Sequence, residues 1–414
     1  MVRTVHIIGA GLAGLSAAIK LASRGEQVVV HEATAFAGGR CRSYHDASIG
    51  MTIDNGNHLL LSGNPAALGY LRNIGSAHRL TGPASAEFPF VDLAGGARWR
   101  LRINDGRLPL WIFASGRRVP GTGAFDYLPL ARLLWPRPGK TVGEVIACKG
   151  PLYSRLIEPL LLAVLNIDPP QGSAKLAASV IRETLARGGR ACRPLIAREG
   201  LAATLIEPAL AYLKRRGAAV QFGHQLHAMR FGANRLEALD FGGEVSPLAK
   251  DDAVIVAVPP YAATALIQGL EAPTEFRAIV NAHFRIEPPA GQPPMIGVVN
   301  GTIEWIFAFP GRLSVTISAG DRLLDTPREE LARTIWAEVA SVAALPPALP
   351  PWQIVRERRA TFAATPAQDR KRPGAPTAWN NLFLAGDWTN TGLPATIEGA
   401  IRSGHRAAES LVHQ

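Results

Sequence analysis

The N-terminal pattern of apolar and polar positions predicts a strand, a helix and a second strand. Thr4–Ile8 and Gln27–His31 are short, mostly apolar runs, and residues 12–24 between them carry apolar side chains at helical spacing. Short apolar runs are typical of buried strands, whereas spacing by three and four residues indicates a helix with one buried face. Residues 3–32 therefore predict a βαβ half-unit.

The same alternation continues along the chain. The predicted elements are helical segments within 142–186, 201–216 and 395–412, and strands at 219–222, 252–258 and 381–385. Apolar strands that alternate with helices form a parallel sheet covered on both faces. The predicted fold class is α/β, with a Rossmann-like nucleotide-binding sheet.

Neither of the two longest apolar stretches predicts a membrane span. The first, residues 156–167, is interrupted by Glu158 and Pro159, and the second, residues 254–267, is interrupted by Pro259 and Pro260. A spanning helix needs about 20 predominantly apolar residues. The first strand begins too early for a signal peptide's apolar core to precede it. We expect a cytoplasmic protein, at most peripheral to the inner face of the cytoplasmic membrane.

Composition narrows the class of protein. The 414 residues are 47% hydrophobic and 19% charged, which excludes a disordered chain and a coiled coil. The net charge of +11 favours anionic partners, but no nucleic-acid-binding signature is present, so a membrane surface fits better than nucleic acid. Cys41, Cys148 and Cys192 are too far apart in sequence to indicate a metal site or a disulfide framework, which favours a reducing compartment.

A glycine-rich turn joins the first predicted strand to the first predicted helix. Gly9, Gly11 and Gly14 form the G-x-G-x-x-G pattern, and Glu32 follows at the end of the next strand. Such glycines permit a tight turn, close approach of a pyrophosphate and close helix packing, while the acid binds ribose hydroxyls. Leu12 and Ala13 open the helix, whose N-terminus attracts anions. These residues predict a dinucleotide site.

A second glycine pair follows Glu32. Gly38 and Gly39 allow close backbone approach, and Arg40 can pair with a phosphate through its fork of donors. Near the C-terminus, Gly386 and Asp387 end an apolar strand. A last helix then begins near Thr396 and Ile397.

Taken in order, these motifs resemble those of the amine oxidase and phytoene desaturase flavoprotein superfamily. The resemblance implies FAD as cofactor, with Arg40 near its pyrophosphate and Asp387 at its ribitol or pyrophosphate. It implies that the helix N-terminus at Thr396 and Ile397 points towards the pyrimidine edge of the flavin, and that the backbone of Val220 contacts adenine. Glu398, in the same helix, is expected to be structural.

A segment near residue 55 resembles the D-x-G-x-H segment of the desaturase branch, which lies near the flavin. Here it reads Asp54-Asn55-Gly56-Asn57-His58. A histidine there could exchange a proton at neutral pH, with Asp54 as its orienting partner. The alternative is a turn at the end of a strand, in which both side chains bond only to backbone.

The resemblance also implies a discontinuous domain organisation. The FAD-binding domain is expected from residues 1–70, 195–265 and 356–414. The α+β substrate domain is expected from residues 71–194 and 266–355.

The whole pattern is most similar to the squalene-associated, FAD-dependent branch of this superfamily, found in hopanoid biosynthesis. That resemblance implies reductive dehydroxylation of 12-hydroxysqualene, a lipophilic C30 isoprenoid, to squalene by hydride from reduced FAD. Only one dinucleotide fingerprint is visible, so we expect an external electron donor. The alternatives are a carotenoid or squalene desaturase, a flavin amine oxidase and a non-enzymatic isoprenoid-binding module.

Residues 99–140 interleave aromatic with basic side chains. They include Trp99, Trp111, Phe113, Arg117, Arg118, Phe125, Tyr127, Arg132, Leu133, Leu134, Trp135, Arg137 and Lys140. Aromatic and basic residues together are typical of a surface that makes transient contact with a membrane. The other interpretation is the core and rim of the substrate domain.

Overall fold

The computed structural model of the protein describes residues 3–412. Its strands are β1 (Thr4–Ile8), β2 (Gln27–His31), β3 (Ser43–Asp46), β4 (Met51–Asp54), β5 (Leu59–Leu61), β6 (Leu80–Thr81), β7 (Ala86–Asp92), β8 (Arg98–Ile103), β9 (Pro194–Ala197), β10 (Ala219–Gln221), β11 (Ala228–Phe231), β12 (Leu236–Asp240), β13 (Val245–Pro247), β14 (Ala253–Val256), β15 (Phe276–Arg285), β16 (Met295–Val299), β17 (Trp305–Phe309), β18 (Arg312–Ile317), β19 (Trp352–Phe362) and β20 (Leu382–Leu384).

The α-helices follow the same chain order. They are α1 (Leu12–Ser23), α2 (Pro65–Asn73), α3 (Leu130–Leu134), α4 (Val142–Val145), α5 (Glu158–Leu165), α6 (Ala174–Glu183), α7 (Glu207–Arg215), α8 (Pro260–Leu266), α9 (Arg328–Ala343), α10 (Pro366–Arg370) and α11 (Ile397–Val412).

A five-stranded parallel sheet, in the order β10-β2-β1-β14-β20, forms the predicted Rossmann-like core. Its side chains alternate between two buried clusters. Ile255 and Phe383 pack with α1 and α11, whereas Val254 and Leu382 face strands β11–β13 and helix α8. Both faces are therefore covered, which confirms the predicted α/β class.

A seven-stranded sheet has the order β19-β15-β18-β17-β16-β7-β8, in which only the β16–β7 pair is parallel. One face packs on α9 through residues such as Val315 and Trp336. The other carries polar cross-strand pairs, Asn281 opposite Thr316 and His283 opposite Ser314. This face is free to serve a site because α9 takes up the apolar one.

Some of the predicted domain limits fall within a strand or separate strands of one sheet. The limit between residues 355 and 356 falls inside β19, which continues in the seven-stranded sheet to Phe362. A small sheet, β5-β9-β6, also joins residues on both sides of the limits after 70 and 194. Long-range strand pairing of this kind leaves no composition signal in the sequence, and the domain limits stay predictions.

Two of the predicted helical segments, 142–186 and 201–216, each contain a π-helical turn that the sequence analysis did not predict, and both turns have the same physical cause. Tyr153–Ile157 and Ala202–Ile206 are π-helical turns, and each is followed by a Glu-Pro pair, ending at Pro159 and Pro208. Proline lacks the amide that the helix needs and its ring crowds the carbonyl four residues earlier, so the preceding turn widens. The segment 142–186 is also broken at Asn166, which adopts a left-handed conformation.

Candidate FAD site

The first glycine turn is built on contacts that exclude a side chain. Gly9 follows β1 with a φ of +104°, and a Cβ there would lie 2.8 Å from the carbonyl oxygen of Ala257. A Cβ on Gly14 would lie 1.9 Å from the carbonyl oxygen of Gly9. Glycine at these positions lets α1 start directly above the sheet.

The space in front of this turn fits a diphosphate. No atom lies within 4 Å of the position that a Cβ on Gly11 would take. Across that space, Gly11 forms a parallel bridge with Gly38, and the Gly38 amide donates to the carbonyl of Ala10 at 2.8 Å. Leu12 and Ala13 open α1, so their amides are among those without partners inside the helix. Backbone donors at a helix N-terminus suit an anion.

Glu32 lies against the same turn. One carboxylate oxygen accepts from the amide of Ala10 at 2.8 Å, and the other accepts from the amide and hydroxyl of Thr34. The residue is only half-buried, and a carboxylate has lone pairs to spare. Val220 lies on the neighbouring strand β10, opposite Val30. Their roles at ribose and adenine remain predictions consistent with this placement.

The structure brings Arg40 and Asp387 together although 347 positions separate them. The Arg40 guanidinium donates to Asp387 Oδ1 at 2.7 Å and also to the carbonyl of Ala360 in β19. Burial disfavours the charged guanidinium, but the Asp387 carboxylate outweighs it and raises the pKa of Arg40. Gly386 has a φ of +152°, and its amide donates to Ser403 Oγ at 2.8 Å, which fixes the strand end that carries Asp387.

Helix α11 begins at Ile397 beside the same site. Thr396 Oγ caps it by accepting the amide of Gly399 at 3.0 Å. Close packing of α11 on α1 is shown by Gly404, where a Cβ would lie 2.1 Å from the carbonyl oxygen of Ala13. The first turn of α1 therefore packs against the middle of α11.

Glu398 is structural, as expected. Its carboxylate accepts the amides of Ala66 and Ala67 at 3.1 and 2.8 Å, at the start of α2, and Arg402 Nε at 3.0 Å. These bonds hold α2 against α11.

Asp54 does not orient His58, and this part of the prediction is wrong. The Asp54 carboxylate accepts Ser43 Oγ at 2.5 Å and the amide of Leu201 at 2.9 Å. His58 Nδ1 instead lies 3.0 Å from the carbonyl oxygen of Gly56. Since a carbonyl only accepts, Nδ1 carries the hydrogen and Nε2 is left with its lone pair. Burial lowers the pKa of His58, against the opposing influence of the Gly56 carbonyl and Asp54.

Several polar residues beside His58 escaped the sequence analysis. Asn55 donates to Glu357 Oε2 at 3.1 Å, and Asn57 donates to the carbonyl of Val315 and the hydroxyl of Thr316. Asn57 Oδ1 is buried without a partner in the described part of the chain. A signal was available, because asparagines flank Gly56 inside the motif and Asn281 is a polar position in an apolar strand.

Comparison with known proteins places the chain in a family. The model of the flavin-containing amine oxidoreductases matches residues 12–412. The chain belongs to this family. As a flavoenzyme of this family it is an FAD-dependent oxidoreductase, and the predicted cofactor is confirmed.

Three of its relatives, at 48–62% identity, are named hydroxysqualene dehydroxylase. The protein from Rhodopseudomonas palustris is 62% identical, with 100% of this chain and 99% of the relative covered. That from Zymomonas mobilis is 48% identical, with 98% of each covered. The solved cyclohexylamine oxidase from Brevibacterium oxydans shares the fold of this flavoenzyme at a TM-score of 0.71 and 17% identity, covering 100% of this chain and 99% of that one.

No helix within residues 3–412 is both long and apolar enough to cross a membrane. Within the same range, no cluster of three His, Cys, Asp or Glu residues could hold a metal ion.

Proposed function

We propose that this flavoenzyme converts 12-hydroxysqualene to squalene. The allylic C–O bond breaks, a proton leaves with the hydroxyl as water, and the carbon gains a hydride, so reduced FAD becomes oxidised. The observation that carries the proposal is identity at 62% to a hydroxysqualene dehydroxylase over the full length of both chains. Bound reduced FAD supplies the hydride.

The substrate-domain core suits a hydrocarbon. The rings of Phe90 and Trp99 stack on the seven-stranded sheet with their centroids 5.4 Å apart, and Trp305 packs against Phe90. The same buried cluster continues into helical residues such as Leu156 and Leu161. Aromatic and aliphatic side chains from two layers form an apolar region that excludes water, which is the chemistry that a C30 isoprenoid and a leaving hydroxyl would need around them.

The leaving hydroxyl needs a proton, and His58 Nε2 is the atom we assign to deliver it. With Nδ1 committed to the Gly56 carbonyl, only Nε2 can exchange a proton. The pKa of His58 is below its usual 6.5 because of burial, so the imidazole is neutral at rest and must first acquire that proton. The rate of dehydroxylation should therefore rise as the pH falls below 6.5.

The test is to photoreduce the holoenzyme without oxygen, add 12-hydroxysqualene, and follow flavin absorbance and lipid products. Reoxidation coupled to squalene formation is expected. Reduced flavin that ignores the substrate contradicts the proposal, and bleaching of oxidised flavin by squalene or a carotenoid precursor would indicate a desaturase.

A variant separates the proton role from the overall reaction. His58→Ala should retain FAD and lose reoxidation by 12-hydroxysqualene at every pH. His78→Ala, at an exposed histidine remote in sequence from the site, is the matched control and should behave as the wild type. Full activity in His58→Ala would remove the assignment of Nε2 while leaving dehydroxylation standing.

A further inference from the structure

The described surface gathers its exposed large apolar side chains in one segment. Ten such side chains are exposed, and six of them lie between residues 108 and 135. They are Leu108, Leu110, Phe113, Phe125, Leu128 and Trp135. Scattered apolar residues on a surface are ordinary, but a concentration of this kind marks an interaction site.

The segment is apolar on its inner side as well. Trp111 and Tyr127 are buried and pack edge to face at 5.2 Å, and the Tyr127 hydroxyl accepts the amide of Val119 at 3.1 Å. These contacts hold two short 3₁₀ turns, Leu110–Phe113 and Ala124–Tyr127, beside one another. The inward aromatics serve the core, so the outward ones are not needed for folding.

The outward side chains are almost fully exposed. The exposed fraction is 68% for Phe113, 82% for Phe125 and 74% for Trp135. The residues of this segment therefore divide into two groups: Trp99, Trp111, Tyr127 and Leu133 are core, whereas these three remain uncovered.

Unpaired positive charge lies in the same segment of the chain. Residues 105–140 contain six basic and two acidic side chains, a net charge of +4. Arg107, Arg117, Arg132 and Arg137 are exposed, and their side chains make no hydrogen bond or ion pair with any residue between 3 and 412. One of the two acids, Asp126, accepts the amide of Gly123.

We propose that residues 105–140 form a docking surface for an anionic lipid bilayer. The exposed aromatic and leucine side chains enter the interface, and the arginines lie at the level of the phosphates. Charge complementarity selects this occupant. A second copy of the chain on a two-fold axis would place one +4 surface against another, which is repulsive. The inference draws on the proposed function in one respect, because a C30 isoprenoid would be delivered from the bilayer.

The test is flotation of the holoenzyme with phosphatidylcholine vesicles with or without about 30% phosphatidylglycerol. We expect binding to the anionic vesicles that weakens with salt. The triple variant Phe113→Ser, Phe125→Ser, Trp135→Ser should lower the partition coefficient by more than about tenfold, since three buried aromatic contacts are lost. Its flavin spectrum and its turnover of 12-hydroxysqualene in detergent micelles should be unchanged.

Charge is tested with a matched pair. The variant Arg117→Gln, Arg132→Gln, Arg137→Gln should bind anionic vesicles about 100-fold more weakly, because three basic side chains near the lipid phosphates are lost. The control, Lys214→Gln, Arg215→Gln, Arg216→Gln, removes the same charge from the exposed end of α7 and should bind nearly as the wild type does.

Three outcomes would overturn the docking surface. They are a wild-type protein that does not bind anionic vesicles, an aromatic triple variant that binds as tightly as the wild type, and a control charge variant that loses as much as the test variant. If the wild type does not bind vesicles but is a dimer, and the aromatic triple variant is a monomer, the surface would be assigned to self-association. Flotation needs no turnover, so its result is independent of whether 12-hydroxysqualene is the substrate.

Discussion

The two sheets of this flavoenzyme differ in the groups that face the candidate site: backbone at the parallel sheet and side chains at the seven-stranded sheet. At the parallel sheet, the candidate site consists of backbone amides and of glycines, which have no side chain, as at Gly11 and Gly38. We call the glycine turns Gly9–Gly14 and Gly38–Arg40 the cradle. On the seven-stranded sheet, side chains face the site, as in the Asn281–Thr316 pair, which bonds at 2.8 Å. The cradle should therefore tolerate no added atoms, whereas the polar face should be sensitive to buried charge and unmet hydrogen bonds.

The largest effects are expected within the cradle. Gly14→Ala places a methyl group 1.9 Å from the Gly9 carbonyl oxygen, so the turn or α1 must move. We expect a loss of about 3 kcal/mol or more in unfolding free energy, at the upper end for overpacking. Urea unfolding of the holoenzyme measures it.

Gly11→Ala should separate binding from folding. Its methyl group meets no atom within 4 Å, so the fold should survive, but the methyl would occupy the space of the diphosphate. Loss of charge-assisted bonds of about 1.5–3 kcal/mol predicts FAD binding weaker by about 10- to 100-fold, read from flavin absorbance after gel filtration.

The matched control is Gly69→Ala in α2, where the nearest atom is a flexible Arg72 nitrogen at 3.7 Å. It should leave FAD binding unchanged and add up to about 1 kcal/mol of stability through helix propensity. Equal FAD affinity in Gly11→Ala and Gly69→Ala would show that the diphosphate lies elsewhere.

A smaller effect is expected where the two regions meet. Arg40 bonds both Asp387 beside the parallel sheet and the carbonyl of Ala360 in the seven-stranded one. A lysine has one ammonium group and cannot replace a planar fork at two partners. Arg40→Lys should weaken FAD binding about tenfold, which is the value of one charged hydrogen bond, as measured by titration of the apoprotein.

The comparison for Arg40 is Arg42→Lys in the same turn. The Arg42 side chain is exposed and, within residues 3–412, bonds only the Gly39 carbonyl, at 3.0 Å, so its replacement should change FAD affinity less than twofold. Similar losses in both variants would mean that general positive charge, rather than the link between the sheets, supports binding.

The difference between the regions also explains what the sequence could predict. Residues 9–40 form a local unit in which residue type and spacing are dictated by function. The cradle and the cofactor could therefore be predicted from the sequence. The partners of Asp54 could not, because Leu201 is 147 positions away and neither residue type is unusual. The polar face likewise depends on the register of β15 with β18, and strand pairing over such distances has no local signature.

Two buried titratable groups at the seven-stranded sheet make stability depend on pH, in opposite directions. Burial raises the pKa of Glu304 to about 7, despite the Ser318 amide that bonds one of its oxygens. The folded protein then keeps a proton that the unfolded chain loses near 4.5, so stability falls as the pH rises from 4.5 to 7. His283 acts oppositely: burial lowers its pKa to about 3, so stability falls as the pH drops from 6.5 towards 3.

Glu304→Gln isolates the first of these slopes. The amide is neutral at every pH, can still accept the Ser318 amide, and brings an NH₂ group in place of the carboxyl oxygen that has no partner within residues 3–412. At pH 5 the variant and the wild type should unfold at nearly the same urea concentration. At pH 8 the variant should be more stable by about 3 kcal/mol, since the pKa of Glu304 rises from 4.5 to about 7 and each pKa unit is worth about 1.36 kcal/mol. A difference that is the same at both pH values would mean that Glu304 is ionised throughout.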